Sequence, residues 1–274
     1  IYNIIGIPGF HGYDAYTTIQ EWLNKRDLTS EEVDELNAYL GEKQGEQAIE
    51  FGKYKDKNVI VIQLEAIQNF LIGKSINGEE ITPNLNSFID EMYYFPNAYH
   101  QAFQGRTSDA EFVTNTSLYP VTKGVVYKRY GHHTYPSIPG TLKNQDYNTL
   151  VFHPWEKSFW NRTQVYKNYP FDTFYGIEDF KSEEKVGWSV GDEPMLVEMV
   201  DVLKEKMPFY GFAITLTSHH PYTISGDYYE LNTDQVEDNL LKHYIHAAHY
   251  VDRALGTFKK KMEEEGLWDE TIVV

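Results

Sequence analysis

Asn58-Val59-Ile60-Val61-Ile62-Gln63-Leu64-Glu65-Ala66 is a near-continuous apolar and β-branched run that ends on a carboxylate. A run of that kind predicts a strand buried on both faces of a parallel sheet, because a half-buried strand would alternate apolar and polar residues. Similar runs recur at 149–153 (TLVFH), 209–217 (FYGFAITLT) and 271–274 (TIVV). Helical spacing lies between them. Pro83, Leu85, Phe88 and Ile89 form one amphipathic segment, and 138–145 reads as a short helix. A further helix is expected over 191–206, where Met195, Val197, Met199, Val200 and Leu203 supply the apolar side and Lys204 and Lys206 suit the last turn. The longest helix is expected over 235–265, from Val236 through Leu240, Tyr244, Ala248, Val251, Leu255 and Phe258 to Met262. Strands separated by helices predict an α/β fold with a doubly wound, mostly parallel sheet and helices on both faces. Ligands bind such sheets beyond the carboxyl ends of the strands. Glu65, His153 and His219 all fall at that edge.

The stretch 99–112, YHQAFQGRTSDAEF, is a polar turn running into a helix. Ser108 and Glu111 have capping-box spacing, which starts the helix at Ser108 and puts Thr107 just ahead of it. Free N–H groups and the positive end of the dipole converge there, so a hydroxyl at 107 faces an anion site. That suits a nucleophile attacking a phosphate or sulfate ester, given a divalent cation to lower its proton affinity. The plainer alternative is a surface threonine ahead of an ordinary N-cap.

Residues 1–57 read as an N-terminal arm or linker. Residues 1–16 are rich in Gly, Pro and Tyr without a clear period. Thr29 and Glu32 cap a helix with Leu36, Tyr39 and Leu40 as its apolar face, and 41–57 is polar and linker-like. The remaining 58–274 form the main domain.

Of 274 residues, 22 are Tyr and none is Cys, and the net charge is -17. Disulfides and thiolate metal sites are excluded. The charge repels nucleic acid and anionic membranes at long range, so an anionic substrate needs a local positive site. No stretch reaches the roughly 20 apolar residues of a membrane helix. The chain starts at Ile1 rather than Met, as expected of a processed or trimmed product.

Taken together, the strand-end Glu65, the Gly-Arg-Thr-Ser-Asp entry at 105–109, the Phe-Trp-Asn-Arg loop at 159–162 and the Ser-His-His-Pro-Tyr segment at 218–222 resemble the lipoteichoic acid synthase family. These are phosphoglycerol transferases of the alkaline phosphatase and sulfatase superfamily. The resemblance covers 58–274, and the arm looks like the family's extracellular linker. It implies a Thr107 nucleophile that takes glycerophosphate from phosphatidylglycerol, releases diacylglycerol and passes the group to a glycerophosphate polymer or a glycolipid primer. It implies a divalent metal, Mn2+ with Mg2+ as the alternative, on Glu65, Thr107 and an Asp-His pair after a later strand. It implies His153, Trp160, Arg162 and His219 around the glycerophosphate, with Arg162 offering a fork to phosphate oxygens. It also places the domain on the outer face of a bacterial membrane or in the cell wall, tethered through segments outside this chain.

Two features depart from the family pattern. The Asp-His pair should follow the strand at 271–274, where the given sequence stops. Pro154-Trp155 stands where the family has small polar residues. Each residue also has a plainer role: Glu65 a hydrogen-bonded sheet-edge carboxylate, His153 a satisfied rim histidine, Trp160 and Arg162 a stacked pair, and His243, His246 and His249 a polar stripe rather than a metal face. A sulfatase or phosphodiesterase is an alternative, although sulfatases need a Cys or Ser where this chain has Thr. A non-catalytic module binding teichoic acid or glycans is another.

Overall fold

The computed structural model describes residues 2–23, 27–42 and 51–274. The chain divides into two compact units, Ile1–Lys53 and Tyr54–Val274.

The first unit carries α1 (Tyr2–Leu23) and α2 (Ser30–Glu42). Residues 2–23, which show no clear period in the sequence, are helical on either side of one break. Gly6 at φ +65° breaks the helix, and Pro8 sits just inside the restarted segment, where its missing N–H costs nothing. The cap of α2 forms as read: Glu32 Oε2 accepts from Thr29 N at 2.9 Å, and Thr29 Oγ1 accepts from Glu32 N at 3.3 Å. Leu36 and Tyr39, two residues of the expected apolar face, are exposed. Within the linker-like segment, 43–50 lie outside the described residues.

The second unit is built in the order β1 (Asn58–Gln63), β2 (Ser75–Ile76), β3 (Glu79–Glu80), α3 (Pro83–Glu91), α4 (Thr107–Thr116), α5 (Val126–Arg129), α6 (Ile138–Lys143), β4 (Asn148–Phe152), α7 (Arg162–Asn168), β5 (Thr173–Tyr175), β6 (Lys185–Val186), β7 (Ser189–Val190), α8 (Asp192–Leu203), β8 (Phe209–Ile214), α9 (Asn239–Glu264) and β9 (Thr271–Val273). The main sheet has the order β5-β4-β8-β1-β9 and is parallel throughout. β5 was hidden in an aromatic loop because three residues carry no periodicity. The long helix starts at Asn239, after an Asp238 side chain that accepts from Leu241 N, so Val236 lies ahead of it rather than inside it.

Alternation along the strands divides two cores. Ile60, Leu150, Phe152, Phe209 and Ala213 pack with Met195, Leu203, Leu255 and Phe258 of α8 and α9. Val151, Tyr210, Phe212 and Ile214 pack with Phe112, Tyr127, Val165 and Tyr166 of α4, α5 and α7 on the opposite face. This is the doubly wound sandwich expected from the strand and helix order. It leaves the loops after β1, β4 and β8 side by side at one edge, as ligand sites in such folds require.

Two of the three histidines of α9 make structural contacts. The His246 ring stacks on Tyr229 at 3.8 Å and its Nε2 meets the Thr233 hydroxyl, while His249 Nδ1 meets the Ile81 carbonyl. No group of three or more His, Asp or Glu suited to a metal occurs among the described residues.

Candidate active site

At the centre of this edge a residue just after β1 meets the first residue of α4. The Thr107 hydroxyl donates to Glu65 Oε2 at 3.0 Å, and both residues are half-buried. Glu65 is fixed through its backbone. Its N–H donates to Thr215 Oγ1 at 2.8 Å, and the Ser218 hydroxyl donates to its carbonyl. The segment after β8 therefore holds the residue after β1. Gln63 Nε2 donates to the Thr107 carbonyl at 3.3 Å and ties the head of α4 to the same strand end.

The turn into α4 differs from the capping box read in the sequence. The helix begins at Thr107. Ser108 is buried and its hydroxyl donates to the Gly105 carbonyl, while the Glu111 side chain turns away from the helix head altogether. Asp109 does the capping work instead. Its Oδ2 accepts from the N–H groups of Phe103 and Gly105, both at 2.9 Å. Gly105 is required there, since a Cβ would lie 2.1 Å from Asp109 Oδ1. Arg106 takes φ +47°, ψ −112°, a strained conformation for any side-chain-bearing residue. The N–H groups of Ser108, Asp109 and Ala110 donate to carbonyls within the turn, so the expected convergence of free donors is reduced. What remains at the helix head is the dipole, the Thr107 hydroxyl and the exposed Arg106 cation.

His153 follows β4 and is buried. Its Nδ1 donates to the Ile214 carbonyl at 2.9 Å, leaving Nε2 as the acceptor of a neutral ring. Burial, reinforced by the positive charge of Arg162, pushes its pKa well below the ordinary 6.5. His219 is half-buried and directly follows the Ser218 that grips Glu65. Its Nδ1 lies 2.7 Å from the His220 carbonyl.

Arg162 does not offer the fork that the family resemblance suggested. It is 1 % exposed, and Glu111, at 0 %, takes its Nη2 at 2.6 Å and its Nε at 3.1 Å. Burial opposes the guanidinium charge, and the Glu111 carboxylate outweighs that, so Arg162 is held above its ordinary pKa. Tyr166 donates to the other Glu111 oxygen at 2.6 Å. Only Arg162 Nη1 is left without a partner. Trp160 does not stack on Arg162. Its ring lies beneath Lys128 Nζ at 5.1 Å and beside Phe159, at a left-handed backbone position of φ +57°. It stands outside the hydrogen-bond set of Thr107 and Glu65.

One more acid matters that the sequence did not single out. Asp192, the first residue of α8, is buried and accepts from Leu216 N and Thr217 N at 2.7 and 2.8 Å. Burial raises its pKa to about 6 against those donors. It clamps the start of the segment carrying Ser218 and His219. The available signal was a glycine followed by an acid at the head of an apolar helix, which reads equally well as a surface N-terminal acid.

Thr107 and Glu65 present only oxygen donors, the chemistry that hard divalent cations select. A carboxylate and a hydroxyl pointing at each other fit such an ion in type, as two of the ligands it needs.

A sulfatase family model matches residues 57–274, and the chain belongs to the sulfatase family. Within it, the chain is 38% identical to the lipoteichoic acid synthase of Staphylococcus saprophyticus, over 98% of this chain and 43% of that protein. It is 34% identical to lipoteichoic acid synthase 1 of Bacillus subtilis, over 100% of this chain and 44% of that protein. The chain therefore spans less than half the length of these relatives. The crystal structure of the lipoteichoic acid synthase LtaP from Listeria monocytogenes superposes with a TM-score of 0.81 at 34% identity, covering 84% of this chain and 57% of that one.

Proposed function

We propose that this chain carries the nucleophile half of a phosphoglycerol transferase acting at the outer face of a bacterial membrane. The observation that carries the reading is the 3.0 Å bond from Thr107 to Glu65, made at the carboxyl edge of the sheet and at the head of α4. The likeness to lipoteichoic acid synthases supports the substrate class, phosphatidylglycerol as donor and a glycerophosphate polymer or glycolipid as acceptor.

In this mechanism the Thr107 oxygen attacks phosphorus of the donor phosphodiester. The bond from phosphorus to the diacylglycerol oxygen breaks, and that oxygen leaves with a proton. The glycerophosphoryl group stays on Thr107 until an acceptor hydroxyl attacks the same phosphorus and the threonine oxygen departs. Glu65 orients the Thr107 hydroxyl. Arg162, buried with Nη1 unpaired, would supply positive charge beside the phosphate, and His219 would give the departing oxygen its proton. His153, neutral with Nε2 as acceptor, suits a hydroxyl of the glycerol rather than a phosphate oxygen. Trp160 offers a wall for glycerol carbons. A divalent cation, Mn2+ or Mg2+, held by Glu65 and Thr107, would supply the lowered proton affinity that a threonine hydroxyl lacks on its own.

The test is release of diacylglycerol from phosphatidylglycerol vesicles. It should be run with the 274-residue chain and with one extended past Val274 by the matching segment of a relative. Thr107→Ala is expected to abolish release wherever it is seen. Release that survives the substitution removes Thr107 from the mechanism, and glycerophosphate appearing free in solution without transfer would make the protein a hydrolase.

A further inference from the structure

Trp188 occupies the tip of the β6–β7 ribbon, one residue after Gly187 at φ +72°, and is 50 % exposed. The ribbon beneath it is fixed. Val186 is buried against Ile224, Tyr250 and Val251, the Ser189 hydroxyl donates to the Pro154 carbonyl, and Gly191 N donates to the Glu184 carbonyl at 3.1 Å. A large indole is thus presented to solvent on a base that does not need it for packing. Its ring centroid lies 4.6 Å from His219 and 6.3 Å from Trp155, tilted to both. The three rings come from the loops after β4 and β8 and from the ribbon before α8. They form an aromatic corner beginning one residue from the Ser218 that holds Glu65.

We propose that Trp188, Trp155 and His219 form a subsite for a neutral sugar ring. The C–H faces of a pyranose carry small positive charge and meet the negative face of an indole, while its hydroxyls stay solvated at the rim. Of the charges flanking the two indoles in sequence, Lys157 is taken up by Glu178 and Asp179, which leaves Glu156, Glu183 and Glu184 against Lys181 and Lys185 and gives an incoming anion no surplus of positive charge. Two indoles and an imidazole set at angles match a ring of alternating apolar faces and polar edges better than an acyl chain, which asks for a continuous apolar groove. The fixed ribbon means little ordering is lost on binding. Pro154-Trp155, the departure from the family pattern noted in the sequence, thereby gains a role. Assigning this sugar to the acceptor rests on the transfer reading above, but the binding itself does not.

The experiment is saturation-transfer NMR on the 274-residue chain with cellobiose and maltose as neutral probes and glycerol 3-phosphate as the anionic one. Saturation of a disaccharide is expected, weakened about fivefold or more in Trp188→Ala and largely kept in Trp188→Phe. It is expected to be insensitive to Thr107→Ala and to salt raised from about 50 to about 500 mM. Absence of transfer to either sugar overturns the proposal. So does equal binding by Trp188→Ala, or a glycerol phosphate signal that Trp188→Ala weakens as much as it weakens the sugar's. Should Thr107 prove dispensable for diacylglycerol release, the transfer reading fails while the sugar result stands by itself.

Discussion

Thr107 and Glu65, forty-two positions apart, are joined by a 3.0 Å hydrogen bond from hydroxyl to carboxylate. The bond exists because the loop after β8 pins Glu65 by its backbone at both N–H and carbonyl, leaving its side chain free to reach α4. Two protein oxygens fall short of the roughly six that Mn2+ or Mg2+ takes up. The 274-residue chain is therefore expected to bind Mn2+ weakly, on the order of millimolar, and Glu65→Gln to weaken it further. Calorimetric titration of this chain and of one extended past Val274 checks it. Equally tight binding by both would overturn the assignment of Glu65 and Thr107 as an incomplete ligand set.

The strained turn ahead of Thr107 makes a separate prediction about stability. A Cβ at Gly105 would collide with Asp109, whose carboxylate closes the turn through two backbone donors. Gly105→Ala and Asp109→Ala are each expected to cost about 2–3 kcal/mol, the first by a clash and the second by stranding two backbone N–H groups, of which that of Gly105 is buried. Asp109→Asn keeps an acceptor oxygen and should cost less than half of that. Urea denaturation of the three variants ranks them. Asp109→Asn proving as costly as Asp109→Ala would show that charge, not acceptance, holds the turn.

How much of this was legible in the sequence depends on how far apart the cooperating residues lie. β1, β4, β8 and β9 announced themselves because burial on both faces demands unbroken apolar runs. With them came the edge holding Glu65, His153 and His219. β5 and the two ribbons are too short for any period to show. The Ser108 and Glu111 spacing misled because Glu111 satisfies Arg162, fifty-one positions downstream, rather than its own helix head. Asp109 and Asp192 stayed anonymous for the same reason. Their partners are backbone N–H groups, which leave no trace in residue identity. Trp188 and His219 meet only through the fold.

That Glu111–Arg162 pair supplies a third prediction. Both side chains are sealed from water, with Tyr166 on the carboxylate. Removing one partner strands a buried charge, so Glu111→Ala should cost about 3–5 kcal/mol. Glu111→Leu together with Arg162→Met removes both charges and is expected to recover a large part of it, giving a strong coupling in a double-mutant cycle read by chemical denaturation. If the double variant is as unstable as the sum of the singles, the pair is not coupled and its role in positioning Arg162 Nη1 falls.

His153 gives the pH dependence. Burial and the Arg162 charge hold its folded pKa well below the ordinary 6.5 that applies once the chain unfolds. Below about pH 6.5 the unfolded chain gains a proton that the folded one refuses, so stability falls as pH drops from there toward the folded value, at up to about 1.4 kcal/mol per pH unit. Asp192 works in the opposite sense. With a folded pKa of about 6 against an ordinary 3.8, it adds stability at low pH that is lost as pH rises through about 6. The two partly cancel in the parent between about pH 4 and 6. The informative quantity is therefore the difference in unfolding free energy between the parent and His153→Asn, in which the Asp192 contribution drops out. The variant should be less stable at pH 7, through loss of the bond to the Ile214 carbonyl, and the gap should narrow steadily as pH is lowered through 6 to 5. A gap that widens on acidification would mean His153 is stabilised as a cation in the fold, and its place as a neutral acceptor for a glycerol hydroxyl would be lost.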